Sequence, residues 1–246
     1  MKKITVFLCL LMALCLLCAC GSQNAPAGSG AADPASSGES ASIEKSPNAA
    51  YEAHYYENGV ATCIEQFDAD RRLLNCEGDI SDEYHYYEEY VRNDYAAGMD
   101  LSDMLAMDGV TYAECTQVSY QQLNGSGELE PQSTLMAFGY NDAVRLNVIR
   151  LYYYVDGMEA PVLVYQVAFD LNEQGDPVHA VKTAGNGEVI FERNYENTYD
   201  ENGILMYSMI TGTFYGDVTF QDGVSIRDTL ETPVEFESAV EYTLVQ

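Results

Sequence analysis

The sequence has no tryptophan, only three histidines, and only 11 lysines and arginines against 39 aspartates and glutamates. Its formal net charge of −28 would repel a phosphate backbone, which excludes nucleic acid as a partner. The histidines, His54, His85 and His179, are far apart and do not have the spacing of metal ligands. The composition therefore argues against a nucleic-acid-binding protein and against a histidine-based metal centre.

Motifs of common enzyme classes are also missing. The sequence contains no GxxxxGK[ST] loop, no HExxH and no GxSxG. Gly125-Ser126-Gly127 and Gly185-Asn186-Gly187 do not continue into a dinucleotide-binding loop, so they are predicted to be turns. The chain also does not alternate strands with helices, as a two-lobed solute-binding protein would. These absences favour a non-catalytic protein.

The N-terminus has the layout of an export signal. Met1-Lys2-Lys3 is basic, and residues 4–17 are almost wholly apolar, a stretch too short to span a bilayer comfortably. Leu17-Cys18-Ala19-Cys20-Gly21 then resembles the lipobox of bacterial lipoproteins. The resemblance implies removal of residues 1–19 and attachment of lipid, palmitate among its acyl chains, to Cys20. A plain cleaved signal peptide and an uncleaved anchor helix are the alternatives.

The next segment is predicted to be a tether. Of the 30 residues from Gly21 to Ala50, 22 are Ala, Ser, Gly or Pro, a composition that cannot bury enough apolar surface to fold. We therefore divide the chain into a signal peptide (1–19), a lipid anchor with a disordered linker (20–50) and an extracellular domain (51–246). Loss of Lys2 and Lys3 would make the net charge about −30, so lipid on Cys20 would have to hold the protein on the outer face of the cell membrane.

The body is predicted to be mainly β. Phe236, Ser238, Val240, Tyr242 and Leu244 alternate with polar or small residues, as expected for a half-buried antiparallel strand. Turn signals separate such runs, and each offers residues that tolerate positive φ. These signals are Asn58-Gly59, Asp156-Gly157, Gln174-Gly175, Asn186-Gly187, Asn202-Gly203 and Asp222-Gly223. Their spacing predicts an antiparallel meander of hairpins.

Some of these units resemble a known repeat. Tyr199-Asp200-Glu201-Asn202-Gly203-Ile204-Leu205 is similar to the unit of YD-repeat (RHS-like) proteins, and looser copies begin at Phe67 and Phe169. The resemblance implies a sheet that grows hairpin by hairpin. The copies are few and irregular, which argues against the large toxin-enclosing shell of long family members.

Residues 81–107 break the pattern. Tyr84, Tyr87, Val91 and Tyr95 form a helical stripe after Ser81, and Gly98 would end that helix. A second short helix is expected from Ser102 to Met107. The alternative is that Tyr84-His85-Tyr86 opens a strand.

The same region holds the densest cluster of acids, beside several tyrosines. Glu88 and Glu89 are the candidate catalytic pair if the protein hydrolyses glycosides, a reaction that uses two carboxyl groups. Asp79, Asp82 and Glu83 are candidate calcium ligands, because calcium prefers carboxylate and carbonyl oxygens. A solvated acidic face explains the same composition without either activity, and no other cofactor is indicated.

Three cysteines remain in the body, namely Cys63, Cys76 and Cys115. A hairpin turning at Ala69-Asp70 would place Cys63 directly opposite Cys76, and an oxidising compartment would permit a disulfide between them. Two separate thiols are the alternative.

Two functional hypotheses follow. The first is a lipid-anchored surface module that binds an envelope protein or glycan without catalysis. The second is a lipid-anchored hydrolase of wall or extracellular polysaccharide that uses the acidic cluster.

Overall fold

The fold is described from a computed structural model. The structure describes residues 48–57, 60–69, 73–81, 84–93, 99–123, 128–154 and 160–245. The predicted signal peptide, Cys20 and nearly all of the linker lie outside these ranges.

The described residues form thirteen strands and one short helix. The elements are β1 (Tyr51–Glu57), β2 (Val60–Phe67), β3 (Leu73–Ser81), β4 (Tyr84–Glu89), β5 (Val91–Asn93), α1 (Ser102–Leu105), β6 (Tyr112–Leu123), β7 (Leu129–Tyr140), β8 (Leu146–Tyr153), β9 (Val162–Leu171), β10 (Pro177–Ala184), β11 (Val189–Tyr199), β12 (Leu205–Gln221) and β13 (Val224–Leu244). The mainly β prediction is confirmed.

The strands form a single antiparallel sheet in the order β4-β3-β2-β1-β13-β12-β11-β10-β9-β8-β7-β6-β5. Sequence neighbours therefore pair along the sheet, and the predicted meander is confirmed. One pairing joins distant parts of the chain, since Tyr51 of β1 lies opposite Leu244 of β13. The strands at the two ends of the order, β4 and β5, are separated in the chain by Tyr90 alone, and β4 also contacts β6. The sheet therefore curves enough to bring its two ends side by side.

Both faces of this sheet bury apolar residues. In β8, Ile149 and Leu151 point into the larger of two apolar clusters, which we call the main core. Val148 and Tyr152, on the opposite face of the same strand, belong to a second cluster with Met104 of α1. Alternation of side chains along a strand explains the division. The main core runs across the sheet and includes Cys63, Leu73, Cys76, Tyr90, Val118, Met136, Phe138, Ile149, Leu151, Val164, Tyr165, Val167, Phe169, Ala180, Ala184, Ile190, Phe191 and Phe214.

The predicted helix over residues 81–98 is wrong. Residues 84–89 and 91–93 are strands, and Tyr86 lies opposite Gly78 of β3. Tyrosine favours a half-buried pleated surface, and pairing with β3 satisfies the backbone of this segment as well as a helix would. The second predicted helix is confirmed as α1, although it covers only Ser102–Leu105.

Several hairpins share one turn geometry. At Asn172 and Asp200, the side-chain oxygen accepts a hydrogen bond from the backbone N–H four residues later. The residue before that donor is a glycine with positive φ, 82° at Gly175 and 77° at Gly203. The predicted turns at Gly175, Gly187, Gly203 and Gly223 are confirmed, whereas Asn58-Gly59 and Asp156-Gly157 lie outside the described residues.

A further turn of this kind lies at residues 141–145, which contain no glycine. Asn141 accepts the same hydrogen bond from the N–H of Arg145, but the positive-φ position is Val144, with φ of 59°. A β-branched residue in this conformation is strained by about 1–3 kcal/mol. Val144 is also 75% exposed, so burial of its side chain does not offset the strain.

We expect Val144→Gly to raise the free energy of unfolding by about 1 kcal/mol and the Tm by about 2–4 °C, because glycine adopts positive φ without strain. The matched reverse change, Gly203→Val, should lower stability by about 1–2 kcal/mol. No atom lies within 4 Å of a Cβ added at Gly203, so that loss would be purely conformational. Urea denaturation of both variants tests this expectation, and a destabilised Val144→Gly protein would contradict it.

Candidate functional site

Three of the acidic residues predicted from the sequence lie on described strands, Asp79 on β3 and Glu88 and Glu89 on β4. Asp79 is in β3 opposite His85, and Glu88 is in β4 opposite Cys76. Glu89, the next residue of β4, is exposed. Consecutive positions of a strand alternate between its faces, whereas glycoside hydrolysis needs two carboxyl groups flanking one bond. The strand geometry at Glu88 and Glu89 therefore gives the hydrolase hypothesis no support.

The calcium hypothesis stays a prediction. Asp82 and Glu83 lie outside the described residues, as do the side chains of Asp79 and Glu88. Within the described ranges, no group of three or more His, Cys, Asp or Glu side chains could hold a metal ion.

The main core contains charges that sequence reasoning did not identify. Lys182 and Arg193 are only 5% and 3% exposed. The ammonium nitrogen of Lys182 lies 3.9 Å from the centre of the Tyr165 ring, and the guanidinium carbon of Arg193 lies 4.3 Å from that of Phe191. Such cation–π contacts offset part of the cost of burying a charge. Since these two basic groups are hidden from solvent, they do not offset the acidity of the surface.

A buried carboxyl group lies in the same sheet. Glu65 is fully buried, and one of its oxygens accepts a 2.9 Å hydrogen bond from the Tyr55 hydroxyl. Burial raises the pKa of Tyr195 and of Tyr242, and the nearby Glu65 adds to both shifts. These tyrosines thus keep their protons at neutral pH and can donate hydrogen bonds near the buried carboxyl group.

The candidate at the surface is a group of residues on β6, on β7 and in the turn after β7, which we call the aromatic patch and define as Tyr112, Glu114, Tyr140 and Val144. Tyr112 and Tyr140 lie opposite each other on β6 and β7, and their rings stack with centres 5.9 Å apart. Both hydroxyls donate to the Glu114 carboxylate, over 3.2 Å from Tyr112 and 3.1 Å from Tyr140. One carboxylate therefore fixes the orientation of two aromatic rings.

The aromatic patch presents apolar surface to solvent. Tyr112 is 54% exposed, and the strained and more exposed Val144 lies in the turn that follows Tyr140. Strained backbone is most often found at functional sites, where it is retained despite its cost. The exposed Tyr112 ring, stacked on the partly buried Tyr140 and followed at the end of β7 by the turn that holds Val144, is thus the best candidate for a contact surface.

The strand topology places the aromatic patch relative to the rest of the chain. Because neighbouring strands are antiparallel, the start of β1, the end of β13 and the turns at 141–145, 172–176 and 200–204 all lie at one end of the sheet. We call this end the β1 end. The aromatic patch therefore lies at the end where the chain enters the sheet from the predicted linker.

Sequence reasoning missed the aromatic patch because its parts are far apart in the chain. Tyr112 and Tyr140 become neighbours only through the β6–β7 register. Val144 could have been found by aligning the turns, since it occupies the position held by glycine in the others.

Comparison with protein-family models gave no match, and a search of curated proteins likewise found no similar sequence. No helix in the described part of the chain has the length and apolar character needed to cross a membrane.

Proposed function

We propose that this protein is a lipid-anchored bacterial surface module that binds a neutral envelope glycan, without catalysis, through the aromatic patch. The observation that carries the proposal is the exposed Tyr112 ring, stacked on the partly buried Tyr140 and held with it by hydrogen bonds to Glu114. Lipid on Cys20 would supply the membrane attachment. The YD-repeat resemblance remains part of this proposal, as a description of how the hairpins are built.

The chemistry of the aromatic patch suits a sugar. The exposed part of the Tyr112 ring can pack against the C–H groups of a pyranose, while the Glu114 carboxylate can accept hydrogen bonds from its hydroxyls. The rings are already oriented, so little conformational entropy is lost on binding. The protein supplies fixed apolar faces next to a polar acceptor.

Size and charge favour a neutral glycan over the other candidates. A stable protein interface buries roughly 800 Å² on each partner, far more than two tyrosines and a valine can offer. An anionic polymer would be repelled by a chain of net charge −28.

The position of the aromatic patch supports a ligand in the envelope of the same cell. The predicted linker joins the domain at the β1 end, where the patch also lies. A random-coil linker of about 30 residues would have a root-mean-square reach of roughly 30 Å, so this end would stay near the envelope.

We expect Tyr112→Ala to weaken binding of the full-length lipoprotein to purified cell walls and neutral polysaccharides by about 10–100-fold, as for loss of a central aromatic contact. Co-sedimentation with these polymers measures the change. The matched control is Tyr154→Ala, because Tyr154 is 64% exposed at the opposite end of the sheet.

Equal binding by both variants, or no binding by the unaltered protein, would contradict the proposal. Retention on walls that is abolished by protease treatment of the walls would instead indicate a protein partner.

A further inference from the structure

Two cysteines of neighbouring strands come into contact in the main core. Cys63 of β2 and Cys76 of β3 are each 2% exposed, and their sulfur atoms lie 3.2 Å apart. The predicted direct pairing is wrong, because Cys63 lies opposite Gly78 and Cys76 lies opposite Glu65. The register at the cysteines differs by two residues from the predicted one, and the bulge between Gln66 and Phe67 accounts for one of them. The two cysteines are therefore diagonal neighbours whose sulfurs still meet.

We propose that Cys63 and Cys76 form a disulfide bond in the exported protein. The S–S bond is about 2.05 Å long, so the sulfurs need to approach by only about 1 Å. An oxidant that itself carries a disulfide, such as oxidised glutathione or a thiol oxidoreductase, takes up two electrons. The two cysteines release two protons, the S–S bond forms through a mixed disulfide, and the oxidant is reduced to two thiols.

The surroundings of the pair make this bond structural. A reducing thiolate must reach one of the sulfurs, and both are buried. The third body cysteine serves as an internal reference, because Cys115 belongs to the second cluster, on the other side of the sheet, beneath α1. Among the three cysteines of the described residues, only Cys63 and Cys76 have their sulfur atoms in contact.

Peptide mapping of the full-length protein from exporting cells tests the assignment. Cells are quenched with acid, the protein is denatured and thiols are blocked with N-ethylmaleimide. Trypsin cleavage after Lys45, Arg71, Arg72, Arg92 and Arg145 then places the three cysteines in separate peptides, 46–71, 73–92 and 93–145. We expect peptides 46–71 and 73–92 to be linked, with a mass that separates on reduction, and peptide 93–145 to carry N-ethylmaleimide.

Two variants sharpen the result. Cys115→Ser should keep the link, whereas Cys63→Ser should abolish it and leave Cys76 labelled. Reduction of the unaltered protein should lower its Tm by about 5–10 °C, the shift expected from opening a loop of this size. The proposal would be overturned if peptides 46–71 and 73–92 each carried N-ethylmaleimide, both in the exported protein and after its incubation with oxidised glutathione. This test uses the unaltered protein, so it holds even if Cys63→Ser fails to accumulate. This outcome is independent of glycan binding.

Discussion

Phe191→Ala is expected to lower the free energy of unfolding by about 3–5 kcal/mol, the usual loss for a large aromatic residue deleted from a core. Phe191 is 1% exposed and is the largest of the fully buried side chains described. On β11 it lies opposite Phe214 and Lys182, and Arg193 covers its ring. The substitution therefore opens a cavity and also removes the aromatic face beside two buried charges.

Urea denaturation followed by tyrosine fluorescence measures this loss, since the chain has no tryptophan. The matched control is Phe220→Ala. Phe220 is 39% exposed near the tip of the β12–β13 hairpin, so its loss should cost less than about 1 kcal/mol. Similar losses in the two variants would show that the Phe191 ring is not part of a well-packed core.

Arg150→Ala is expected to cost about 3 kcal/mol, because Arg150 joins α1 to the sheet. Its guanidinium donates to the Asp103 carboxylate over 2.7 Å and to the Gln166 side-chain oxygen over 2.7 Å. Arg150 is only 8% exposed. Removing the guanidinium leaves the Gln166 oxygen without this donor and leaves α1 without its ion pair.

The partner residue provides the control for Arg150. The Asp103 side chain is 67% exposed, and asparagine keeps an oxygen that can accept the same hydrogen bond. We therefore expect Asp103→Asn to cost less than about 1 kcal/mol. Thermal and urea unfolding measure the loss of stability in both variants. An equal loss in Asp103→Asn and Arg150→Ala would contradict the expectation that the buried arginine matters more than its exposed partner.

The fold was largely predictable where local chemistry and tertiary structure agree. Glycines at 175, 187, 203 and 223 predicted hairpin turns, and the alternation ending at Leu244 predicted the last strand. The prediction failed at residues 84–93, where tyrosines at helical spacing also suit a strand. Periodicity could not decide between the two, because pairing with β3 supplies hydrogen bonds that the local sequence does not reveal.

The candidate site was not predictable, for a related reason. Composition drew attention to Glu88 and Glu89, which are neighbours in the chain. The aromatic patch is assembled by strand register, which depends on every turn and bulge between Tyr112 and Tyr140. A run of acidic and aromatic residues is visible in a sequence, whereas two rings that meet across a hairpin are visible only once the hairpin is known.

If the protein is exported as we propose, the pairing of β1 with β13 has a consequence for how it folds. A chain that crosses a membrane N-terminus first presents β1 long before β13, its partner at Tyr51 and Leu244, has crossed. Until then β1 has an uncovered edge that could pair with another chain. The β1–β2 and β2–β3 hairpins can form early, since their contacts are local. Pairing of β13 with β1 is then the slow, last step of folding. The early hairpins have to remain ordered until that pairing forms.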